Sequence, residues 1–536
     1  MHPLAKLDHQ FVWHPFTQMR DWLKREPVVI VAGKGAVLHD IRGREYLDAN
    51  SSIWTNLHGH NHPGINTAIQ RQLKKVAHSS ALGLANEPAS LLAERLVQMA
   101  NQKVGRAVPS APFSHTYVRR GEDTAPYLGK VFFSDNGSTA LEVALKLAYE
   151  FTRRTRTKPV RRPSSAVALL RRVEAPSRAA EPKFLSLEGA YHGDTVGAVS
   201  LGHVDLFHKS YSGLLFKTDK VMSPYCYRCP FNRAKPERAD AREYRKCNWE
   251  CVGLVEKKFA TQKRKGNPYA AFVFEPLIQG AAGMIPQPRG WLRRVTEIAR
   301  SHGALLIADE VMTGFGRCGV ESREPRVEGH AANKHYLSTL DPRPSTLFAC
   351  HHEGVPPDFL CLAKGLTGGY LPMAATLTTQ KVFDAFLGEY GEFKTFFHGH
   401  SYTANQLGAA AALASLDILQ SEKSVRARQN LENNLRAELQ TLWSLSNVGD
   451  IRQVGLMAGI ELVRDWRTRQ PFDLRERAGT RVCEAMARHG VLTRPVGNVI
   501  VLMPPYCTTP RQAKTIVDVL RTAIAGTFRL KQKIRF

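Results

Sequence analysis

The stretch Asp358-Phe-Leu-Cys-Leu-Ala-Lys364-Gly-Leu-Thr-Gly-Gly decides the fold prediction for this chain, because it joins an apolar run to a lysine. Upstream, the run Ala304-Leu-Leu-Ile-Ala-Asp309-Glu310 ends in carboxylates. Short apolar runs of this kind are typical of buried strands. The two stretches therefore predict one strand that ends in a carboxylate and a later strand that ends in a lysine.

A lysine and an aspartate at two strand ends are the polar groups that a pyridoxal 5'-phosphate enzyme needs. The lysine amine forms a Schiff base with the cofactor, and the aspartate keeps the pyridinium nitrogen protonated so that the ring accepts electrons. A lysine after an apolar run is by itself more often a surface residue. The prediction that Lys364 and Asp309 are catalytic therefore depends on further cofactor contacts elsewhere in the sequence.

Two further apolar runs lead into segments that suit a phosphate and an aromatic ring. Val131-Phe-Phe predicts a strand, and Gly137 and Ser138 begin the helical pattern after it, where the first-turn N–H groups favour an anion. Phe184-Leu-Ser-Leu predicts a strand before Tyr191, whose ring could stack on the cofactor. The alternatives are an ordinary helix cap at Gly137 and a partly buried core tyrosine.

Three motifs resemble the signatures of the class III, fold type I aminotransferases: Tyr191-His-Gly-Asp194, Asp309-Glu-Val-Met-Thr-Gly-Phe-Gly-Arg317 and Lys364-Gly-Leu-Thr-Gly-Gly. Within that class, five segments are similar to the 7,8-diaminopelargonate synthases of biotin biosynthesis: Trp13-His-Pro-Phe-Thr17, Ser51-Ser-Ile-Trp54, His58-Gly-His-Asn-His-Pro63, His398-Gly-His-Ser401 and Leu492-Thr-Arg-Pro-Val-Gly497. The resemblance covers nearly the whole chain and is interrupted by insertions.

The resemblance implies an α/β fold, the fold type I architecture with a large domain on a mostly parallel sheet and a smaller α/β domain. The alternation of apolar runs with helical stretches agrees with such a sheet. The large cofactor-binding domain is expected at 60–420, and 1–59 and 421–536 are expected to form the small domain. A homodimer with shared active sites is also implied, in which the segment 398–401 reaches the phosphate of the neighbouring subunit.

The reaction implied by the resemblance converts 8-amino-7-oxononanoate to 7,8-diaminononanoate, with a diamine or 4-aminobutyrate ω-aminotransferase as the alternative. Lys364 would bind the cofactor covalently and move the proton, and Asp309 would hold the ring nitrogen protonated. The other expected cofactor contacts are Gly137, Ser138, Tyr191, His192 and, from the partner subunit, His400 and Ser401. The expected substrate contacts are Phe16, Ile53, Trp54, Gly399 and Arg494, whose guanidinium suits the acceptor carboxylate.

Two departures from the family pattern concern the amino donor. Members that take S-adenosylmethionine have tyrosine at the position of Phe16 and tryptophan at the position of Ile53. Phe16 lacks the hydroxyl and Ile53 lacks the aromatic face that would recognise a sulfonium. The segments 15–19 and 394–402 are more similar to the branch that uses lysine. We therefore hypothesise that lysine supports turnover at least as well as S-adenosylmethionine.

The formal net charge of +26 raises the alternative of a nucleic-acid-binding protein. Much of the charge is local, because 151–180 holds nine basic residues and one acidic residue. No aromatic platform or recognition helix accompanies it, so a solvated basic insertion is favoured and no specific nucleic-acid partner is expected. Similar insertions are predicted around 105–127 and 321–347.

Two cysteine pairs, Cys226 with Cys229 and Cys247 with Cys251, have a spacing that could hold zinc or an iron–sulfur cluster. The interpretation adopted is reduced thiols near the cofactor, with no metal. No apolar run approaches the roughly 18 to 20 residues of a membrane span, and the polar N-terminus lacks a signal-peptide core. A cytoplasmic protein without a membrane partner is therefore expected.

Overall fold

A computed structural model of the 536-residue chain describes residues 1–102, 127–156, 181–319 and 346–529. The basic segment from 157 to 180 lies outside the described residues, as does most of the two insertions predicted around 105–127 and 321–347.

The strands form one large sheet, two smaller sheets and a short hairpin. In chain order they are β1 (Ile30–Lys34), β2 (Val37–Asp40), β3 (Glu45–Asp48), β4 (Leu128–Ser134), β5 (Lys183–Leu187), β6 (Asp219–Val221), β7 (Tyr269–Phe274), β8 (Ile278–Gln279), β9 (Ile285–Pro286), β10 (Leu305–Asp309), β11 (Phe359–Leu362), β12 (Ala374–Thr379), β13 (Val448–Val454), β14 (Met457–Leu462), β15 (Val491–Leu492), β16 (Pro495–Val496) and β17 (Val499–Leu502).

The α-helices are α1 (Pro3–Phe11), α2 (Met19–Trp22), α3 (Ser51–Trp54), α4 (Pro63–Leu73), α5 (Glu87–Ala100), α6 (Gly137–Arg156), α7 (Val196–Leu201), α8 (Asp205–His208), α9 (Ala241–Tyr244), α10 (Glu250–Arg264), α11 (Trp291–Ser301), α12 (Ala349–His352), α13 (Gln380–Asp384), α14 (Gln406–Gln420), α15 (Glu422–Gln440), α16 (Ala478–Arg488) and α17 (Pro510–Arg529). Short 3-10 turns join several of them, including Cys226–Arg228 and Lys364–Thr367.

The large sheet has seven strands in the order β4-β12-β11-β10-β7-β5-β6. β12 runs antiparallel to both its neighbours, and the other strands are mutually parallel. The carboxyl ends of the parallel strands therefore meet at one edge, where ligands collect in open α/β sheets. The mostly parallel sheet predicted from the sequence is confirmed.

The apolar runs form central strands because helices cover both faces of the large sheet. Along β7, Phe272 and Phe274 pack in the core beneath α5, α10, α11 and α14, whereas Ala271 and Val273 pack against α6. Adjacent strand residues point to opposite faces, so a strand buried on both faces is apolar throughout. This arrangement explains why β7 and β10 read as unbroken apolar runs.

The smaller sheets bring the two ends of the chain together. β3 pairs in parallel with β15, and Ala49 packs in one core cluster with residues of α15, α16 and α17. The other four-stranded sheet has the order β13-β14-β17-β16. The N-terminal strands thus contact the C-terminal part of the chain through long-range pairs.

The basic insertion predicted over 151–180 begins later than expected, since 151–156 is the last part of α6. Phe151 and Thr152 are buried and continue the apolar face of this helix. Two of the arginines are also anchored: Arg154 Nη1 donates to the Ala385 carbonyl at 2.8 Å, and Arg156 Nη2 donates to the Tyr269 carbonyl at 2.8 Å. These contacts explain why the basic run does not start as a solvated loop.

Candidate active site

A cavity of about 410 Å³ opens at the carboxyl ends of the parallel strands. The segments that follow β4, β5, β7, β10 and β11 all contribute to it. The cavity wall contains seven of the site residues that the sequence predicted: Trp54, Gly137, Ser138, Tyr191, His192, Asp309 and Lys364. Residues that lie far apart in the sequence therefore meet in one place, as the strand-end pattern predicted.

Lys364 follows β11 and begins the 3-10 turn Lys364–Thr367. Its backbone is left-handed, with φ 42°, a conformation that non-glycine residues rarely adopt outside functional sites and turns. Burial lowers the pKa of its amine, although the carboxylates of Asp309 and Glu275 act in the opposite direction. Among the described residues the amine makes no hydrogen bond or ion pair, and its nearest ring is that of Trp54, with the centroid 4.8 Å from Nζ.

Asp309, the last residue of β10, is 6% exposed and is held from two sides. Its Oδ2 lies 2.7 Å from His192 Nδ1, and its Oδ1 accepts the Val311 N–H at 3.1 Å. Because a carboxylate only accepts, His192 Nδ1 is the donor in this pair. His192 Nε2 is buried and has no hydrogen-bond partner among the described residues. The pair fixes a buried carboxylate at the cavity wall.

The first turn of α6 forms a cradle of backbone N–H groups at Gly137 and Ser138. A Cβ atom on Gly137 would lie 2.6 Å from Val311 Cγ1, so only glycine fits this approach. Ser138 Oγ accepts the Asp194 N–H at 3.2 Å. First-turn N–H groups have no helical acceptor and carry the positive end of the helix dipole, so the cradle suits a phosphate.

Tyr191 forms an aromatic side of the cavity. Its hydroxyl donates to Asp194 Oδ2 at 2.6 Å, and its ring stacks on His208 with centroids 6.1 Å apart and planes 11° apart. Burial and the hydrogen bond to Asp194 raise the pKa of the Tyr191 hydroxyl, which is therefore neutral. The ring is held by contacts on its edge and face, as a stacking platform requires.

Glu275 is a cavity residue that the sequence did not single out. It follows β7, is 6% exposed, and accepts the Tyr191 N–H at 3.3 Å and the Gly280 N–H at 2.8 Å. Burial and the neighbouring Asp309 raise the pKa of its carboxyl to about 7, despite the opposing effects of His192 and the two N–H donors. Its strand-end position repeats the pattern of Asp309 and could have revealed it. Asp135, Thr313 and Tyr370 also line the cavity without having been predicted.

Six predicted site residues are not part of the cavity wall: Phe16, Ile53, Gly399, His400, Ser401 and Arg494. His400 is close, because its Nδ1 lies 3.1 Å from Oδ2 of the cavity residue Asp135. Phe16 is 61% exposed, and its ring meets Phe207 edge to face at 5.2 Å. Phe207 in turn contacts the ring of Tyr191, so Phe16 is linked to the cavity through one aromatic neighbour.

Arg494 is exposed and lies between β15 and β16. Val496, two residues further on, packs against the cluster that contains the cavity residue Met312. Ile53 precedes Trp54 and is 46% exposed. The proposed substrate contacts of Arg494 and Ile53 therefore remain predictions, with both residues outside the enclosed part of the cavity.

The four cysteines of the two closely spaced sequence pairs, Cys226 with Cys229 and Cys247 with Cys251, are free thiols. Burial raises the pKa of Cys226 to about 12 and that of Cys251 to about 11. Over the described ranges, no group of three or more His, Cys, Asp and Glu side chains is arranged to hold a metal ion. The zinc and iron–sulfur alternatives thus receive no structural support.

The wall fits pyridoxal phosphate at each of its functional parts. The Lys364 amine, which has no polar partner in the described ranges, faces a cavity that also contains a buried carboxylate, an N–H cradle and an aromatic ring. Forming a Schiff base, holding a protonated ring nitrogen and binding a phosphate require these groups.

The fold and this cavity wall are those of a transaminase that uses pyridoxal phosphate. The chain belongs to the class III aminotransferases. The family described as Aminotransferase class-III matches residues 19–321 and 342–524. The class predicted from the three sequence motifs is thereby confirmed.

The chain is 44% identical over 521 residues to the adenosylmethionine-8-amino-7-oxononanoate aminotransferase of Nitratidesulfovibrio vulgaris, covering 97% of this chain and 81% of that protein. It is 42% identical to the enzyme of the same name from Geobacter sulfurreducens, with 97% of each chain covered. The fold matches the crystal structure of the Methanocaldococcus jannaschii enzyme of that name with a TM-score of 0.77 and 35% identity, over 98% of both chains.

An amine transaminase from an uncultivated Pseudomonas species, solved in its PLP-bound form, is also similar. Its TM-score is 0.76 at 31% identity, over 96% of this chain and 98% of that one. The likeness therefore extends beyond one substrate class. No helix in the described ranges is long and apolar enough to cross a membrane.

Proposed function

We propose that this chain transfers an amino group to 8-amino-7-oxononanoate and so produces 7,8-diaminononanoate, with pyridoxal 5'-phosphate as its cofactor. The observation that carries the chemistry is the Lys364 amine, which has no polar partner among the described residues and lies in a cavity that also contains Asp309. The acceptor is inferred from relatives of 44% and 42% identity that bear this substrate in their names. A small-molecule substrate also suits a cavity of about 410 Å³.

Each of the seven wall residues that were predicted from the sequence has a role in this proposal. When bound, pyridoxal phosphate withdraws electrons from the carbon that carries the reacting amine. Asp309, oriented by His192, holds the ring nitrogen protonated, and the N–H groups at Gly137 and Ser138 bind the phosphate. The Lys364 amine would be the base that takes the proton from the substrate carbon, since burial lowers the pKa of this amine and so favours its neutral form. Tyr191 and Trp54 exclude water from the two sides of the site.

The proposal also assigns an assembly and a compartment. The working unit is a homodimer, in which His400 and Ser401 of the partner subunit complete the phosphate site and Gly399 borders the substrate. The segments 1–59 and 421–536 form a small domain next to the large domain 60–420. Support comes from the pairing of β3 with β15 and from their shared core cluster. The protein is proposed to act in the cytoplasm.

We propose that lysine, as the amino donor, supports turnover at least as well as S-adenosylmethionine. Phe16 contributes no hydroxyl and Ile53 no aromatic face, whereas the apolar stem of lysine can pack against both. The relatives are named for adenosylmethionine, so both donors have to be compared directly.

The test is a donor and acceptor screen on the purified protein loaded with pyridoxal phosphate. The product 7,8-diaminononanoate is measured by mass spectrometry with 8-amino-7-oxononanoate as acceptor and either lysine or S-adenosylmethionine as donor. Succinate semialdehyde serves as the competing acceptor of a 4-aminobutyrate enzyme. Faster conversion of succinate semialdehyde than of 8-amino-7-oxononanoate would overturn the proposed acceptor and favour the ω-aminotransferase alternative. Lys364→Ala controls for reaction outside the site.

A further inference from the structure

The backbone of α3 is left-handed at four consecutive non-glycine residues. The φ angles are 47° at Ser51, 47° at Ser52, 64° at Ile53 and 68° at Trp54. L-amino acids disfavour this region because Cβ approaches the following carbonyl oxygen, and a β-branched residue such as Ile53 disfavours it most. Such a run persists only where its surroundings hold it, and it is common next to functional sites.

Asp48 holds the inner side of this turn. Its Oδ1 accepts the N–H groups of Asn50 at 3.2 Å and Ser52 at 3.1 Å, and its Oδ2 accepts the Ser52 hydroxyl at 2.9 Å. Asp48 is the last residue of β3 and is 3% exposed. Three donors from the turn and from the residue before it, Asn50, therefore converge on one buried carboxylate.

A second set of contacts fastens Asp48 to the floor of the cavity. Its Oδ2 lies 3.0 Å from His60 Nε2, and His60 Nδ1 lies 3.0 Å from Asn56 Nδ2. A Cβ atom on the cavity residue Gly369 would lie 2.8 Å from the Asn56 backbone. Burial raises the pKa of Asp48, but His60 and the Ser52 donors outweigh it and the pKa is lowered, so the carboxylate is ionised at neutral pH.

The turn delivers the indole of Trp54 to the cavity. The indole N–H donates to Asn50 Oδ1 at 2.8 Å, and the ring centroid lies 4.8 Å from Lys364 Nζ. The indole is also close to Gly280, where a Cβ atom would lie 3.3 Å from Trp54 Cζ3. The indole thus covers an amine that has no polar partner in the part of the chain that the structure describes.

We propose that Asp48 is a positioning residue, which acts through the left-handed turn Ser51–Trp54 to set the Trp54 indole over the Lys364 amine. Its effect on turnover rests on the proposed transaminase function, but its effect on the Lys364 amine does not. The cover over this amine is therefore set by a carboxylate whose hydrogen-bond partners among the described residues, Asn50, Ser52 and His60, do not line the cavity.

The experiment is a double-mutant cycle with Asp48→Ala, Trp54→Ala and the combined variant. The first readout is the labelling of Lys364 by acetic anhydride in the cofactor-free protein, followed by peptide mass spectrometry. Each single variant is expected to raise the labelling several-fold, and the combined variant should not raise it further. With cofactor and 8-amino-7-oxononanoate, each single variant should lower kcat by about 10- to 100-fold, again without addition in the combined variant.

Asp40→Ala is the matched control. Asp40 is also 3% exposed and accepts two backbone N–H groups, from Arg42 and Arg44, each at 2.9 Å. It ends β2 and does not line the cavity, so its loss should lower thermal stability without changing Lys364 labelling. Asp48→Asn keeps one acceptor for the N–H groups, and its labelling should lie between wild type and Asp48→Ala.

Unchanged Lys364 labelling in Asp48→Ala would overturn the proposal, as would additive effects in the combined variant. If Asp48→Ala does not fold, Asp48→Asn decides, because labelling equal to wild type would then count against the role. If labelling changes as expected but 8-amino-7-oxononanoate is not converted, the proposed acceptor is wrong while the positioning role stands.

Discussion

The carboxyl of Glu275 makes the stability of this protein depend on pH in a direction that can be worked out. Its pKa is raised from 4.5 to about 7, chiefly by burial. At about 1.4 kcal/mol for each pKa unit, this difference corresponds to about 3 kcal/mol. Between pH 4.5 and 7 the native state binds more protons at this site than the unfolded chain does. The free energy of unfolding should therefore fall as pH rises through this window.

Glu275→Gln removes the titration and keeps the size of the side chain. Relative to wild type, the variant should become more stable by about 3 kcal/mol as pH rises from 4.5 to above 7. The amide still accepts one of the two N–H groups, from Tyr191 or Gly280. The loss of the other contact changes the difference in unfolding free energy between variant and wild type by the same amount at every pH. Glu310, whose pKa is also raised to about 7, is present in both proteins and cancels.

The assay is urea unfolding of the cofactor-free protein at several pH values from 5 to 8, with the difference in unfolding free energy taken at each pH. Glu422→Gln is the control, since the Glu422 side chain is 73% exposed and should give a flat difference. A flat difference for Glu275→Gln as well would refute the reasoning, because Glu275 would then be ionised throughout this range.

Three further predictions concern the reaction. Lys364→Ala should retain the thermal unfolding profile of wild type but lose turnover and the borohydride-sensitive visible absorbance, and full activity would contradict the catalytic role of Lys364. Asp309→Asn should also lose most activity, because a neutral partner cannot hold the ring nitrogen protonated. Arg494→Ala should chiefly raise the acceptor KM and lower kcat/KM by roughly 10- to 150-fold, the loss of a charge-assisted contact worth about 1.5 to 3 kcal/mol. Its control is the methyl ester of the acceptor, and equal use of ester and acid by wild type would show that the arginine does not bind the carboxylate. In stopped-flow half-reactions, lysine should react with wild type at least as fast as S-adenosylmethionine does. The variant that combines Phe16→Tyr with Ile53→Trp should change the donor preference toward S-adenosylmethionine. If wild type reacts with S-adenosylmethionine alone, the lysine hypothesis is wrong.

The strand-end residues were predictable because their signal is local. An apolar run followed directly by a polar residue places that residue at the edge of a buried sheet, and this pattern located Gly137, Tyr191, Asp309 and Lys364. Glu275 follows the apolar strand β7 in the same way and was missed, although the pattern was available. The domain boundaries and the roles of the site residues stay predictions.

The sequence by itself determined the class of protein and the elements that carry its polar residues, because strand burial, helix starts and short motifs depend on neighbouring residues. Only the tertiary structure decided which groups meet. His192 pairs with Asp309 across 117 residues, and the ring of Trp54 lies over Lys364. The strain of the left-handed turn that carries Trp54 is sustained by the nearby Asp48 and also by long-range contacts such as the Ser51 hydroxyl on the Met503 carbonyl. Packing between distant segments, rather than local preference, therefore sets the environment of the Lys364 amine.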